Sequence, residues 1–232
     1  GSTASVVDGA MTLIGFGGNG TGNQNRGIVI HERSSLTATD TGSLSIEGTG
    51  AGLGSNNGGV VIDGATAGTD SGRLFIKGIG SLNGTHYSEG VDLYHGAIVQ
   101  SSSGDIVIEG TAHGSGRYNR GGMLQTSTVR STTGKVDISG TGSASATLNY
   151  NQGILFQGST VSAGGLLTLI GDGGSGTSYN HGIQSLTSQL TGSAGLKITG
   201  TALTGTTGIW NCGVHIATRN TLTGLSGANL IT

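Results

Sequence analysis

Three markers recur in the same order along the chain, about every 31 residues, and a repeat of that length restricts the fold to stacked supersecondary units. The first marker is a glycine followed by two apolar residues with a spacing of two. It occurs at Gly9 (Met11, Leu13), Gly42 (Leu44, Ile46), Gly72 (Leu74, Ile76), Gly104 (Ile106, Ile108), Gly134 (Val136, Ile138) and Gly165 (Leu167, Leu169). In a seventh copy Ala194 takes the glycine's place before Leu196 and Ile198, and the starts are 33, 30, 32, 30, 31 and 29 residues apart. The second marker is Asn-x-Gly, with Asn25, Asn57, Asn119, Asn151, Asn180 and Asn211, and with Ser88 replacing Asn in the third copy. It leads into a second alternating run, seen in Ile28/Ile30, Val60/Ile62, Val91/Leu93, Ile154/Phe156 and Val214/Ile216. The third marker is a single apolar residue in Ser/Thr-rich surroundings: Leu36, Ala67, Val99, Val129, Val161, Leu190 and Leu222.

Alternation over five to seven residues reads as a strand with one buried face. Three such strands per repeat predict an all-β, right-handed parallel β-helix, a β-solenoid of about seven coils of ~31 residues. One coil has too few apolar side chains to offset its own ordering entropy, so only the stack is stable. At one strand spacing of roughly 4.8 Å per coil the predicted solenoid is roughly 34 Å long. Composition agrees. The chain has 49 Gly and no Pro in 232 residues. Proline would remove a ladder hydrogen bond from a central strand, and glycines are expected at corners that need positive φ. The Asn of the second marker reads as a corner ladder, with Asn tolerating left-handed backbone and its amide bonding the copy in the next coil.

The formal charge of −2 and the lack of any basic stripe argue against nucleic acid as a partner. No apolar run is long enough to span a membrane, and the single Cys212 excludes an internal disulfide framework. Residues 1–232 read as one solenoid segment. Ser2 to Asp8 read as the tail of a preceding coil, and the final GANLIT as the start of a further first strand. No capping element is evident at either end, and the first residues carry no export signal. The segment is therefore expected to belong to a longer array or to stack on copies of itself, head to tail.

The repeats G-S-L-S-I-E-G-T-G…N-x-G-V-V-I and G-K-V-D-I-S-G-T-G…N-Q-G-I-L-F resemble those of large secreted bacterial β-helical surface proteins. These are adhesin- and haemagglutinin-like proteins of the autotransporter or two-partner-secretion type. The resemblance covers essentially the whole chain and implies an extracellular, cell-surface role as a rigid stalk, fibre or filament segment. The translocator that accompanies such repeats has no counterpart in these residues.

Candidate sites are few. The column just before the Asn marker holds Gln24, Asn56, Tyr87, Tyr118, Tyr150, Tyr179 and Trp210, which places four of the five tyrosines and the only tryptophan at one position. It reads as a stacking column that stiffens a corner. The alternative is a flat aromatic platform for surface glycans, in a carbohydrate-binding or polysaccharide-processing β-helix. Outward charges form two columns, Glu47/Lys77/Glu109 and Arg73/Asp105/Lys135, whose alternating sign favours correct register. Asp105 and Asp137 lie on adjacent coils but in different columns, with Lys135 nearby. They do not make the facing carboxylate pair that glycoside hydrolysis needs, and no catalytic residue is assigned. His31, His86, His95, His113, His181 and His215 are scattered. His181 and Cys212 are possible neighbours, but no metal site or cofactor is expected from them. Asp172 in GDGG is a single unrepeated match to a calcium turn. The column Thr37, Gly68, Gln100, Arg130, Ser162, Thr191, Thr223 is too broken for a threonine array.

Further expectations concern single residues. Ile138 and Ile154 should face inward, whereas Ser143 and Ser145 should be replaceable loop residues. The outward Val29, Val61, Met123 and Leu155 should be covered by Gly-rich loops or else make lateral contacts between fibres.

Overall fold

The computed structural model describes residues 1–203 and 208–232. Each repeat forms one coil with three strands, and each strand pairs in parallel with its counterparts in the coils before and after it. The first marker builds a sheet of eight strands, from Ala10–Phe16 to Leu230–Ile231. The second builds a sheet of seven, from Ile28–His31 to Val214–Ala217. The third builds a sheet of eight, from Thr3–Val7 to Thr221–Gly224. The register carries each marker onto its own copy. Ile46 pairs with Ile76, Ile76 with Ile108 and Ile108 with Ile138. Val99 pairs with Ala67 on one side and Val129 on the other.

Stacking turns each marker into a continuous file of buried aliphatic side chains. Leu44, Leu74, Ile106, Val136 and Leu167 form one file of the core, and Ile46, Ile76, Ile108, Ile138 and Leu169 another. The second sheet adds Ile62, Leu93, Leu124 and Phe156. Two inward positions of that sheet are not large apolar residues. Gly122 takes the place beside Ile154, and Ser185 the place beside Phe156. Ser185 is sealed from solvent, and its hydroxyl donates to Asn220 Oδ1 at 2.8 Å, so the polar group is satisfied where an apolar one was expected.

Two glycine columns, one ending the first strand of each coil and one belonging to the second marker, serve close approach more than turn geometry. The columns Gly48, Gly78, Gly110, Gly140, Gly171 and Gly59, Gly90, Gly121, Gly153, Gly182 face each other where the first and second sheets meet. A Cβ on Gly78 would run into the Gly90 carbonyl, and one on Gly59 into the Ile79 amide. None of these has positive φ. Left-handed backbone falls largely on non-glycine corner residues, among them Asp8, Asp40, His95, Thr126 and Thr187, and on the whole column from Gln24 to Trp210.

The outward charge columns stand in the expected register, Glu47 and Glu109 flanking Lys77, but they do not close into ion pairs. Among the described residues Arg120 approaches Glu89 at 3.7 Å, and His31 and His95 stand beside Glu32 and Asp63 in contacts that become ion pairs on protonation of the ring. Arg73 lays its guanidinium over the Phe75 ring at 4.7 Å, and Asp105 Oδ1 accepts the backbone N–H of Lys135 in the next coil at 2.8 Å, so these groups find partners other than the opposite charges of their column. Ser143 is also not a free loop residue. It is buried and its hydroxyl donates to the Gly114 carbonyl at 2.7 Å, because the loops of successive coils stack as the strands do. Ser145 is exposed, as expected. Of the outward apolar residues, Val61 and Leu155 are buried, Met123 is half-buried and only Val29 is exposed.

Candidate functional site

The outer face of the second sheet concentrates the chain's chemistry, and the corner leading into it explains why. The Asn column forms a hydrogen-bonded ladder at that corner. The N–H of Asn25 donates to Asn57 Oδ1 at 2.8 Å, that of Asn119 to Asn151 Oδ1 at 3.0 Å, and those of Asn151 and Asn180 to Asn180 and Asn211 Oδ1, both at 2.9 Å. The ladder is interrupted at Ser88. Its N–H is capped by Asn119 Oδ1 at 2.9 Å, but its buried hydroxyl finds no partner. Asn57, Asn119, Asn151 and Asn180 are fully buried. The left-handed residue at this corner is not the Asn but its predecessor: Gln24, Asn56, Tyr87, Tyr118, Tyr150, Tyr179 and Trp210 have φ between 53° and 65°.

That conformation aligns four phenol rings. Tyr87, Tyr118, Tyr150 and Tyr179 stack with centroids 4.9, 5.1 and 4.9 Å apart and interplanar angles of 14°, 7° and 10°. Left-handed backbone costs roughly 1–2 kcal/mol per residue, and each stacked pair returns about 0.5–1.5 kcal/mol. Trp210 shares the corner conformation, and its ring lies 6.1 Å from that of His215. The geometry corrects the picture of a flat platform. The rings are stacked like coins, so each interior face is used by its neighbour and only the ends of the stack have a free face.

Beneath the stack runs a file of side chains of which the sequence singles out the His181–Cys212 end but not the polar run that leads to it. The x of Asn-x-Gly is Arg26, Gly58, Glu89, Arg120, Gln152, His181 and Cys212, and the outward position of the strand behind it is Val29, Val61, Asp92, Met123, Leu155, Gln184 and His215. Arg120 Nε donates to Gln152 Oε1 at 2.9 Å and Gln152 Nε2 to Gln184 Oε1 at 2.9 Å; Gln184 Nε2 then meets His215 Nδ1 at 3.2 Å. Arg120 also lies under the Tyr118 ring, 4.9 Å from its centroid, and its Nη1 donates to Met123 Sδ at 3.2 Å. His181 Nδ1 accepts the Cys212 backbone N–H at 3.3 Å, while its Nε2 is buried without a partner. Burial, and then the neighbouring His215, bring its pKa down to about 4. The ring nitrogen facing Cys212 is thus occupied by backbone, and among the described residues no group of three His, Cys, Asp or Glu is placed to hold a metal ion.

The file opens at the second and third coils. Between Arg26 and Glu89 the file carries Gly58, which has no side chain, and Asn56 stands where the later coils carry a ring. Beside them lies a cleft of about 240 Å³ lined by Tyr87, Tyr94, His95, Glu89, Asp92 and Met123, together with Arg26 and Asn56. Glu89 is only 3% exposed, yet its nearest cationic partner, Arg120 Nη1, is 3.7 Å from it, beyond hydrogen-bonding distance. Asp92 Oδ1 is buried and unpartnered. Burial pushes the Asp92 carboxyl up to about 7 against the pull of Arg120 and Arg26. Burial and the Asp92 charge hold Glu89 well above the usual carboxylate range. Asp63 Oδ1 and His95 Nδ1 are 2.8 Å apart. A second hollow, of about 190 Å³ over Gly68 on the third sheet, is lined by Thr37, Gln100, Asp70 and Arg130 without an aromatic ring. The Oδ2 of Asp70 there already accepts the Asp40 N–H at 3.0 Å.

No protein-family model, no curated protein and no solved structure matches this chain. The signal for the cleft was nonetheless present in the sequence: two carboxylates three residues apart, next to the first tyrosine of the column, in the one repeat where Ser replaces Asn.

Proposed function

We propose that the chain is a rigid structural segment of an extracellular bacterial surface protein or fibre, a stalk or adhesive scaffold able to continue end to end. The observation that carries this reading is translational regularity. One register rule joins every coil to the next in all three sheets, and the same rule would join a coil of one copy to a coil of another. The buried files run through the stack and the core is largely aliphatic along its length, as a rod under load requires. The extracellular, bacterial setting is supported by the resemblance of the repeats to secreted surface proteins.

Pulling the chain from its two termini in a force spectrometer tests the mechanical role. Each coil holds about 31 residues, so its release should lengthen the tether by about 100–110 Å. Steps of that size or small multiples of it, at forces well above those that extend a disordered chain, are expected. Featureless extension at low force would remove the reading. Electron microscopy of the same sample should show end-to-end rods. A second reading, saccharide binding on the tyrosine column, is favoured by one observation: Tyr87, at the end of the stack, is 38% exposed and borders the acidic cleft.

A further inference from the structure

We propose that the cleft where the tyrosine stack ends binds one pyranose ring of a saccharide, stacked on the free face of Tyr87 with its hydroxyls donating to Asp92 and Glu89. The proposal deepens the saccharide reading and is independent of the stalk.

Three features converge on this chemistry. The first is the free aromatic face. Tyr118 and Tyr150 each have a ring on both sides at 4.9–5.1 Å, whereas Tyr87 has a ring on one side only; the column position on its other side carries the shorter Asn56, which has no ring to cover that face, and Tyr87 is 38% exposed. The C–H face of a pyranose is an apolar plate that fits such a ring. The second is an excess of buried acceptors. Asp92 Oδ1 has no partner, and the carboxylate of Glu89, almost wholly buried, has Arg120 no closer than 3.7 Å. A buried acceptor without a donor is costly, and it marks where a donor belongs. Vicinal hydroxyls supply two donors at once. The third is the presence of Arg26 and Asn56 in the lining, whose N–H groups can donate to ring and hydroxyl oxygens that carboxylates alone could not bind.

Size and charge narrow the choice. At about 240 Å³ the cleft is below the ~300–1,000 Å³ of sites for drug-sized molecules, so it suits a single ring with the rest of a chain running out to solvent. An organic cation would also find aromatic rings and carboxylates here, but Arg26 in the lining and Arg120 beside Glu89 oppose a second positive charge.

Gly58, the one position of the file without a side chain and the neighbour of Glu89, supplies the cleanest variant. Gly58 has ordinary backbone, and a Cβ there would meet only the Glu89 carbonyl at 3.4 Å and Val61 Cγ2 at 3.8 Å. The same column carries Arg26, Arg120 and Gln152 in other coils. Gly58→Gln should therefore fold while adding a side chain beside Glu89. The probes are methyl glycosides of glucose, galactose, mannose and N-acetylglucosamine, with tetramethylammonium as the competing cation, read by saturation-transfer NMR and titration. At least one pyranoside is expected to bind the unaltered protein, and to bind Gly58→Gln and Asp92→Asn about tenfold or more weakly. If the Gly58→Gln melting curve departs from that of the parent, Asp92→Asn carries the comparison. No response to any pyranoside overturns the proposal and the saccharide reading together. Binding undiminished in both variants but lost in Tyr150→Ala overturns the cleft and keeps the tyrosine column. A response to tetramethylammonium alone overturns both in favour of a cation site.

Discussion

Asn119 shows how much one side chain holds in this fold. Its Oδ1 caps the N–H of Ser88, its own N–H is capped by Asn151, and its Nδ2 donates to the Thr85 carbonyl at 3.0 Å. Asn119→Ala leaves buried backbone groups unpaired and should cost about 1–3 kcal/mol, read as a shift in the denaturant midpoint. Tyr118 offers a sharper test, because its φ of 60° and its stacking pull in opposite directions. Tyr118→Ala and Tyr118→Gly both lose the stack, but only Ala keeps the left-handed cost. The Gly variant should therefore be the more stable of the two by about 1 kcal/mol, and the reverse order would show that φ is not what strains this corner. Asp92 contributes a pH dependence. Its carboxyl rises from 3.8 to about 7 on folding, so the folded state binds the extra proton. The associated stability is full below about pH 4 and lost as pH rises through 7. Asp92→Asn cannot ionise, and its melting temperature relative to the parent should climb from pH 4 to pH 8. His181, whose pKa is lowered to about 4, acts in the opposite direction by destabilising the fold as pH falls from 6.5 towards that value. The comparison between variant and parent cancels that contribution. The aromatic column was legible in the sequence because identity repeats at one position. Its orientation was not, since whether a ring presents its face or its edge depends on the backbone of the corner, where the left-handed residue is the one before each Asn and not the Asn itself.

The three sheets were legible because alternation and period act together: Ile46, Ile76, Ile108 and Ile138 must share a file if the coils stack at all. What the pattern did not reveal was the seam between the first and second sheets. There Gly78 and Gly90 are present because their backbones touch, and nothing in a single repeat separates that need from a turn's need for positive φ. Substitution separates them. Gly78→Ala places a methyl group against the Gly90 carbonyl, which packed sheets cannot move aside, and it should severely reduce folding yield. Gly96→Ala has φ of 82° but nothing within 4 Å of the added carbon. It should cost only about 1–2 kcal/mol, with yield and fold retained on circular dichroism. Equal damage at both sites would show that the seam is softer than the geometry indicates. The loop column behaves as an element of the same kind. Ser143 was expected to be replaceable because a polar loop residue looks dispensable in one repeat. Its bond to Gly114 in the coil below exists only in the stack, so Ser143→Ala should destabilise where Ser145→Ala does not.

The fold as a whole is a column of like units, and its energetics follow from the register. Each strand pairs only with the strands one coil before and one coil after it, so stability is a sum of coil and interface contributions instead of one global core. Damage in the middle should then stay local. Ile138 pairs with Ile108 and Leu169 and is almost fully buried among them. Ile138→Asp places a carboxylate in that file with no partner, and an unpaired buried charge is among the costliest changes a core can suffer. Coil 5 should open, and coils 4 and 6 should lose the ladder partners they share with it. Coil 2, two interfaces further on, keeps its own pairing to coil 3 through Ile46 and Ile76. Hydrogen exchange followed by mass spectrometry should show protection collapsing around residues 104–193 and largely kept around residues 42–71. Exchange accelerated equally in every peptide would mean that the stack unfolds as a single cooperative unit. In that case the stepwise release expected under force should be absent too, because both depend on coils that can fail one at a time.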